Sequence, residues 1–190
     1  MTTTEAKAGP RERLLEAAAL LTYREGISVG IQALCQEAGV SKRSMYQLFD
    51  SKDELLAASL EQGAPAYTVW LLPTADDDRS PRERILHVFG RLESQSATPG
   101  YHGCQYLAVQ IELKDPTHPA SRVARGVKDG LARFFRAEAE RGGASDPDLL
   151  SRQLMLIFDG ASARAGIGVD DLTGLVSPTV GSLLDSAGVH

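Results

Sequence analysis

The feature that most restricts this chain is the stretch 31–49, where two short helical segments flank a glycine. Ile31, Leu34, Cys35 and Ala38 turn one face of the first segment inward. Gly39 and Val40 make a tight turn into Ser41, whose side chain can cap a second helix through Tyr46 and Gln47. That spacing is a helix-turn-helix, a support helix followed by a second helix whose polar side stays free. Together with the helix before it, three short helices leave one small core.

The flanking sequence extends the helical pattern in both directions. Leu14, Leu15, Ala18, Leu21 and Tyr23 form a stripe over residues 10–25, Gly26 stops it, and Ser28 is a plausible cap for the helix that follows. Ser51, Lys52, Asp53 and Glu54 spell a capping box ahead of Leu55, Leu56 and Leu60, with the continuation past Gly63 and Pro65 left open. Residues 74–80, with Asp76, Asp77 and Asp78, read as a solvated loop. Ser80, Pro81 and Glu83 then start another helix. Residues 102–113 fit period two or a helix. No partner strand is offered, so a helix is expected. Pro119 can open a long helix, Asp146 with Pro147 the next, and Pro178 kinks or restarts the last.

The expected fold is all-α: an N-terminal three-helix helix-turn-helix domain joined to a larger C-terminal helical domain. Residues 1–9 are expected as a disordered arm, 10–56 as the helix-turn-helix domain, and 57–190 as the larger helical domain.

Composition narrows the function. The 190 residues are 43% hydrophobic and carry a formal net charge of −5 from 20 basic and 25 acidic residues, which argues against a protein that coats nucleic acid by bulk positive charge. Two cysteines, Cys35 and Cys104, are too few for a disulfide scaffold and fit a reducing compartment. No apolar run reaches the roughly 20 residues needed to span a bilayer, so a cytoplasmic chain with no membrane partner is expected.

A local footprint remains. Lys42, Arg43 and Ser44 lie in the first turn of the second helix, the part that reaches base edges. Arg43 can donate two hydrogen bonds to guanine O6 and N7. Ser41, Tyr46, Gln47 and Lys52 stand where phosphate contacts position such a module. Residues 1–60 hold seven basic and eight acidic side chains, so one module binds weakly and two held at fixed separation would bind better. The last two helices can supply that homodimer through Leu154, Phe158, Ala161, Ala165, Val180 and Leu184.

Ala38, Gly39, Val40, Ser41, Tyr46, Phe49, Ser51, Lys52, Glu54 and Leu55, in this order, resemble the DNA-binding signature of the TetR family of bacterial transcriptional regulators. The resemblance implies bases facing Lys42, Arg43 and Ser44, and phosphates facing Tyr46, Gln47 and Lys52. It also implies a divergent helical domain that binds a small molecule and dimerises through its last two long helices. Arg43 stands where a small residue is common and adds a base contact. Gln47 stands where histidine is frequent, and Leu48 where an aromatic or histidine is. Gly103, Cys104 and the stretch from Glu112 through His118 to Pro119 are similar to a subgroup of the family and imply helices around an effector cavity.

Within the larger domain, Tyr67, Trp70, Phe89, Tyr101, Tyr106 and Phe134 are the aromatics able to line that cavity, though amphipathic helices need such residues for their cores anyway. Trp70, Phe89, Tyr101, Tyr106 and Phe134, with the polar points Arg91, Gln105 and Gln110, make up the expected pocket for an unidentified small-molecule effector. Cys104 reads as a small buried thiol or an oxidation sensor. His102, His118, Asp115 and Glu112 match no standard metal spacing, and no metal or cofactor is expected. No catalytic set stands out. The expected function is a ligand-responsive regulator, most simply a repressor released from a palindromic operator of double-stranded DNA. The alternatives are a helical interaction protein that binds no DNA and a small-molecule-binding helical enzyme.

Overall fold

In a computed structural model the described residues, 8–190, form nine α-helices and no strand. They are α1 Pro10–Glu25, α2 Ile31–Ala38, α3 Lys42–Leu48, α4 Lys52–Leu71, α5 Pro81–Ser96, α6 Gln105–Leu113, α7 Pro119–Arg141, α8 Pro147–Gly166 and α9 Val176–Ala187. The expected arm, apart from Ala8 and Gly9, lies outside the described residues.

The chain divides into two compact units, Met1–Gly63 with Val109–Ala124, and Ala64–Ala108 with Arg125–His190. A boundary after residue 56 would fall inside α4, because the helix begun at Lys52 continues through Gly63 and Pro65 to Leu71. Pro65 removes one backbone donor from it.

In the first unit α1, α2 and α3 pack on one another. Leu14, Ala18, Leu34, Met45 and Leu55 are fully enclosed. Pro at the start of α1 places its missing N–H where no intrahelical partner exists, and Gly26 ends the helix at φ 85°. The expected cap at Ser28 is not used: α2 opens at Gly30 with no side-chain cap, since its first helical residue comes later than the spacing suggested. Gly39 closes α2 at φ 61°, with Val40 N–H returning to the Cys35 carbonyl at 2.9 Å. Ser51 Oγ accepts from Glu54 N–H at 3.1 Å, while the Glu54 carboxylate accepts from Asp50 N–H at 2.6 Å. Val109, Ala120 and Ala124, from the returning segment, are buried.

The second unit is built on a larger core. α5, α8 and α9 pack together, and Phe89 stacks on Phe135 at 5.5 Å and meets Phe158 edge-on at 6.2 Å. The capping box at Ser80 forms in full, and Asp146 accepts from Leu149 N–H at 2.9 Å. Residues 105–113 are helix, settling the period-two alternative. Pro178 falls in the first turn of α9, where its missing N–H costs no intrahelical hydrogen bond.

Buried charge accompanies this core. Arg84 and Glu138 are 6% and 4% exposed and pair at 2.9 Å. Arg84 also donates to the Thr74 carbonyl at 2.8 Å and lies over the Phe134 ring. Lys128, 8% exposed, pairs with Asp159 and sits 4.7 Å above Phe158.

Four residues expected at a dimer interface belong to this core instead. Leu154 (0%), Phe158 (1%), Val180 (0%) and Leu184 (0%) are enclosed within a single protomer. Their stripe satisfies the protomer's own need for burial. Ala161 and Ala165 are half-buried.

Candidate nucleic-acid interface

The second helix of the helix-turn-helix, α3, is anchored by one side chain. Met45 is fully enclosed, while Lys42, Arg43, Tyr46, Gln47 and Leu48 are exposed around it. Seven residues make two turns, so one inward position suffices to seat the helix and the rest face outward. Phe49, 2% exposed, pins its C-terminal end, and the Arg11 guanidinium lies 5.3 Å over its ring.

The first turn of α3 is locked from its N-cap. Ser41 Oγ accepts from Ser44 N–H at 3.0 Å and shares a hydrogen bond with Ser44 Oγ at 2.9 Å. Both hydroxyls expected on DNA are thus already engaged in the cap. Arg43 and Lys42 extend beside them as exposed cations. Burial raises the Cys35 thiol behind this surface, with Lys42 acting in the opposite sense.

Lys52, expected on phosphate, also has a partner within the protein. It is half-buried, and its ammonium donates to the Ile27 carbonyl at 2.7 Å. Glu112 and His118, weighed from sequence as metal ligands, also serve hydrogen bonds: Glu112 Oε2 accepts from Ile27 N–H at 2.9 Å, and His118 Nε2 stands 3.4 Å from Asp53.

In the second unit the structure gathers part of the expected pocket. Tyr67 lies 5.0 Å from Tyr106 and 5.9 Å from Trp70, ring to ring. Arg91 donates to the Trp70 carbonyl at 2.8 Å and covers its ring at 5.2 Å. The Tyr67 hydroxyl meets Cys104 Sγ at 3.7 Å. Ser162 Oγ accepts from Cys104 N–H at 2.7 Å and bonds to the Tyr101 hydroxyl at 3.1 Å. Burial raises the Tyr67 phenol, helped by Cys104, and pushes Tyr106 up to about 12, so both stay protonated. Gln105 is half-buried at the start of α6.

Phe89 is wholly enclosed in the aromatic core, Phe134 packs under Arg84, and Gln110 belongs to the first unit. Ser162 carried no sequence signal, since it lies in a run of small residues. Its role arises from a backbone approach that admits no side chain: a Cβ on Gly166 would lie 2.6 Å from Gly103 N.

No described helix is long and apolar enough to cross a membrane. The model of the bacterial regulatory proteins, tetR family, matches residues 14–59. The structure superposes on that of SAV143, a TetR-type transcriptional regulator of Streptomyces avermitilis, at 69% identity and TM-score 0.94, covering 96% of this chain and 100% of that one. SCO4454, a TetR-family regulator of Streptomyces coelicolor, is 28% identical at TM-score 0.83, covering 94% of this chain and 96% of the other. The HTH-type transcriptional regulator YjdC of Escherichia coli is 20% identical over 81% of this chain and 82% of its own length. With its matched helix-turn-helix and a relative at 69% identity along nearly its whole length, the chain belongs to the TetR family of DNA-binding transcriptional regulators, which are not enzymes.

Proposed function

We propose that this regulator is a repressor that leaves a palindromic operator when a small molecule binds its second unit. The observation that carries the DNA side is the exposed row of Lys42, Arg43, Tyr46 and Gln47 around the enclosed Met45. Arg43 reads guanine through O6 and N7, with Lys42 and Ser44 beside it on the bases. Ser41, Tyr46, Gln47 and Lys52 hold phosphates, Ser41 and Lys52 while keeping their contacts within the protein. The boundaries 10–56 and 57–190 describe the division of labour, with α4 running through both.

TetR regulators form dimers. Half of the ten large exposed apolar side chains among the described residues fall between positions 149 and 175: Leu149, Leu156, Ile167, Val169 and Leu175. Leu156, Gly160, Leu175 and Thr179 border an apolar groove of about 270 Å³ that also includes Ala161. This outer face of α8 and α9, with Ala165, meets its copy across a two-fold axis in our reading. The effector has an apolar body suited to Tyr67, Trp70, Tyr101 and Tyr106, with Arg91 and Gln105 as polar anchors.

Selection of bound fragments from the source genome, followed by anisotropy titration at two salt concentrations, tests the proposal. An inverted repeat with half-sites roughly 34 to 36 Å apart, or a multiple, is expected, with affinity falling steeply as salt rises. No enrichment over random fragments refutes it.

A further inference from the structure

The turn between α1 and α2 is held by two side chains of opposite charge. Glu112, at the end of α6, takes the N–H of Ile27, and Lys52, at the start of α4, gives its ammonium to the carbonyl of the same residue. Both polar backbone atoms of Ile27 are thus committed to side chains 85 and 25 positions away. Gly26 makes the approach feasible. A Cβ at this position, where φ is 85°, would lie 2.6 Å from Glu112 Oε2, so the carboxylate occupies space a side chain would need.

A second tie lies nearby in the same unit. His118 Nδ1 accepts from Ala120 N–H at 3.1 Å, which leaves the proton on Nε2, the nitrogen that faces Asp53 at 3.4 Å. Asp53 follows Lys52, so the segment from Glu112 to His118 grips both the α1–α2 turn and the start of α4. From that turn the chain enters α2 at Gly30, which provides no side-chain cap. In a helix-turn-helix the first of its two helices crosses the DNA backbone. The setting of the 26–30 turn therefore governs how α2 and α3 meet a duplex together.

We infer that Glu112 is a positioning residue for DNA recognition, acting through the Ile27 amide and touching no nucleotide. The inference rests on the DNA-binding reading above. It has a sign that distinguishes it from a pure charge effect: a carboxylate near DNA opposes binding, so its removal would strengthen binding if charge were all it contributed.

The test uses the full-length protein and the fragment that the wild type selects from genomic DNA. Glu112→Ala is expected to bind that fragment about tenfold more weakly, with faster hydrogen exchange at the Ile27 amide and an unchanged thermal midpoint. Glu112→Gln keeps an acceptor oxygen and is expected to stay within about threefold of wild type, with Ile27 protected. Binding by Glu112→Ala equal to or tighter than wild type overturns the inference. So does weaker binding with Ile27 exchange unchanged, or a Gln variant as weak as the Ala variant. A wild type that selects no fragment would bring down the DNA reading itself and this inference with it; the variant outcomes bear on the inference alone.

Discussion

The two units spend their charged residues in opposite ways. In the first, Lys42, Arg43, Asp53 and Glu54 stay on the surface or near it, and the fully enclosed side chains are apolar. In the second, Arg84, Glu138 and Lys128 are buried beside the aromatic core and paired or stacked there. The difference follows from the tasks. A surface that reads DNA must keep its cations hydrated until phosphates and bases replace the water. A large helical core draws its charges inward only where partners compensate the loss of water.

The largest expected effect tests the inward charges. Glu138→Ala strands Arg84 in the core, and unfolding experiments should show a loss of about 3 to 5 kcal/mol. A loss near zero would mean that solvent reaches the guanidinium, and the contrast between the units would weaken. Next comes Arg43→Ala, which should cost roughly 1 to 3 kcal/mol of discrimination at its base pair while leaving the melting temperature unchanged. Competition titrations with operator variants measure it. An unchanged preference at every position would remove Arg43 from the bases.

Lys52 divides the two kinds of use. As a clamp on the Ile27 carbonyl alone, its replacement by methionine weakens operator binding without altering the slope of log K against log salt. A slope reduced by about one places the ammonium on a phosphate as well.

The smallest effect concerns His87. Its Nδ1 meets the Arg79 guanidinium at 2.8 Å, and burial, followed by Arg79 and Arg91, lowers its pKa below the ordinary 6.5. Asp77, which pairs with Arg79, acts in the opposite sense, while Arg84 adds to the lowering. The unfolded chain therefore takes up the proton first as pH falls. This contribution is complete above the ordinary value and declines as pH drops through it. Melting curves across that range should flatten in His87→Gln, and an unaltered profile would mean that His87 titrates alike in both states.

Legibility in the sequence followed the range of the interactions. The caps at Ser41, Ser80 and Asp146 act on N–H groups three residues on, and a local pattern reveals them. The exposed row of α3 was equally readable, because a short helix beside a Gly-Val-Ser turn has one face to bury. The link from Lys52 to the Ile27 carbonyl, 25 positions back, lies outside any local pattern. The stripe of Leu154 and Phe158 was also visible, but periodicity cannot tell a protomer's own core from a second copy. Glu112, His118 and Ser162 lie beyond any local reading, since their partners are 58 to 85 positions distant.

The pairing of Arg84 has a consequence for anyone adapting this protein as a sensor. The acidic loop at 74–78 would be chosen first for inserting a reporter or an affinity tag, because three consecutive aspartates advertise an unconstrained surface. Yet the Arg84 guanidinium donates to the carbonyls of Thr74 and Asp77 at 2.8 and 3.4 Å, so the loop backbone itself helps solvate a buried charge. An insertion there would interrupt the loop at the hydrogen bonds that the interior relies on. The polar stretch at 142–145 looks less inviting still: Ser145 N–H is bonded to the Ala187 carbonyl at 3.1 Å.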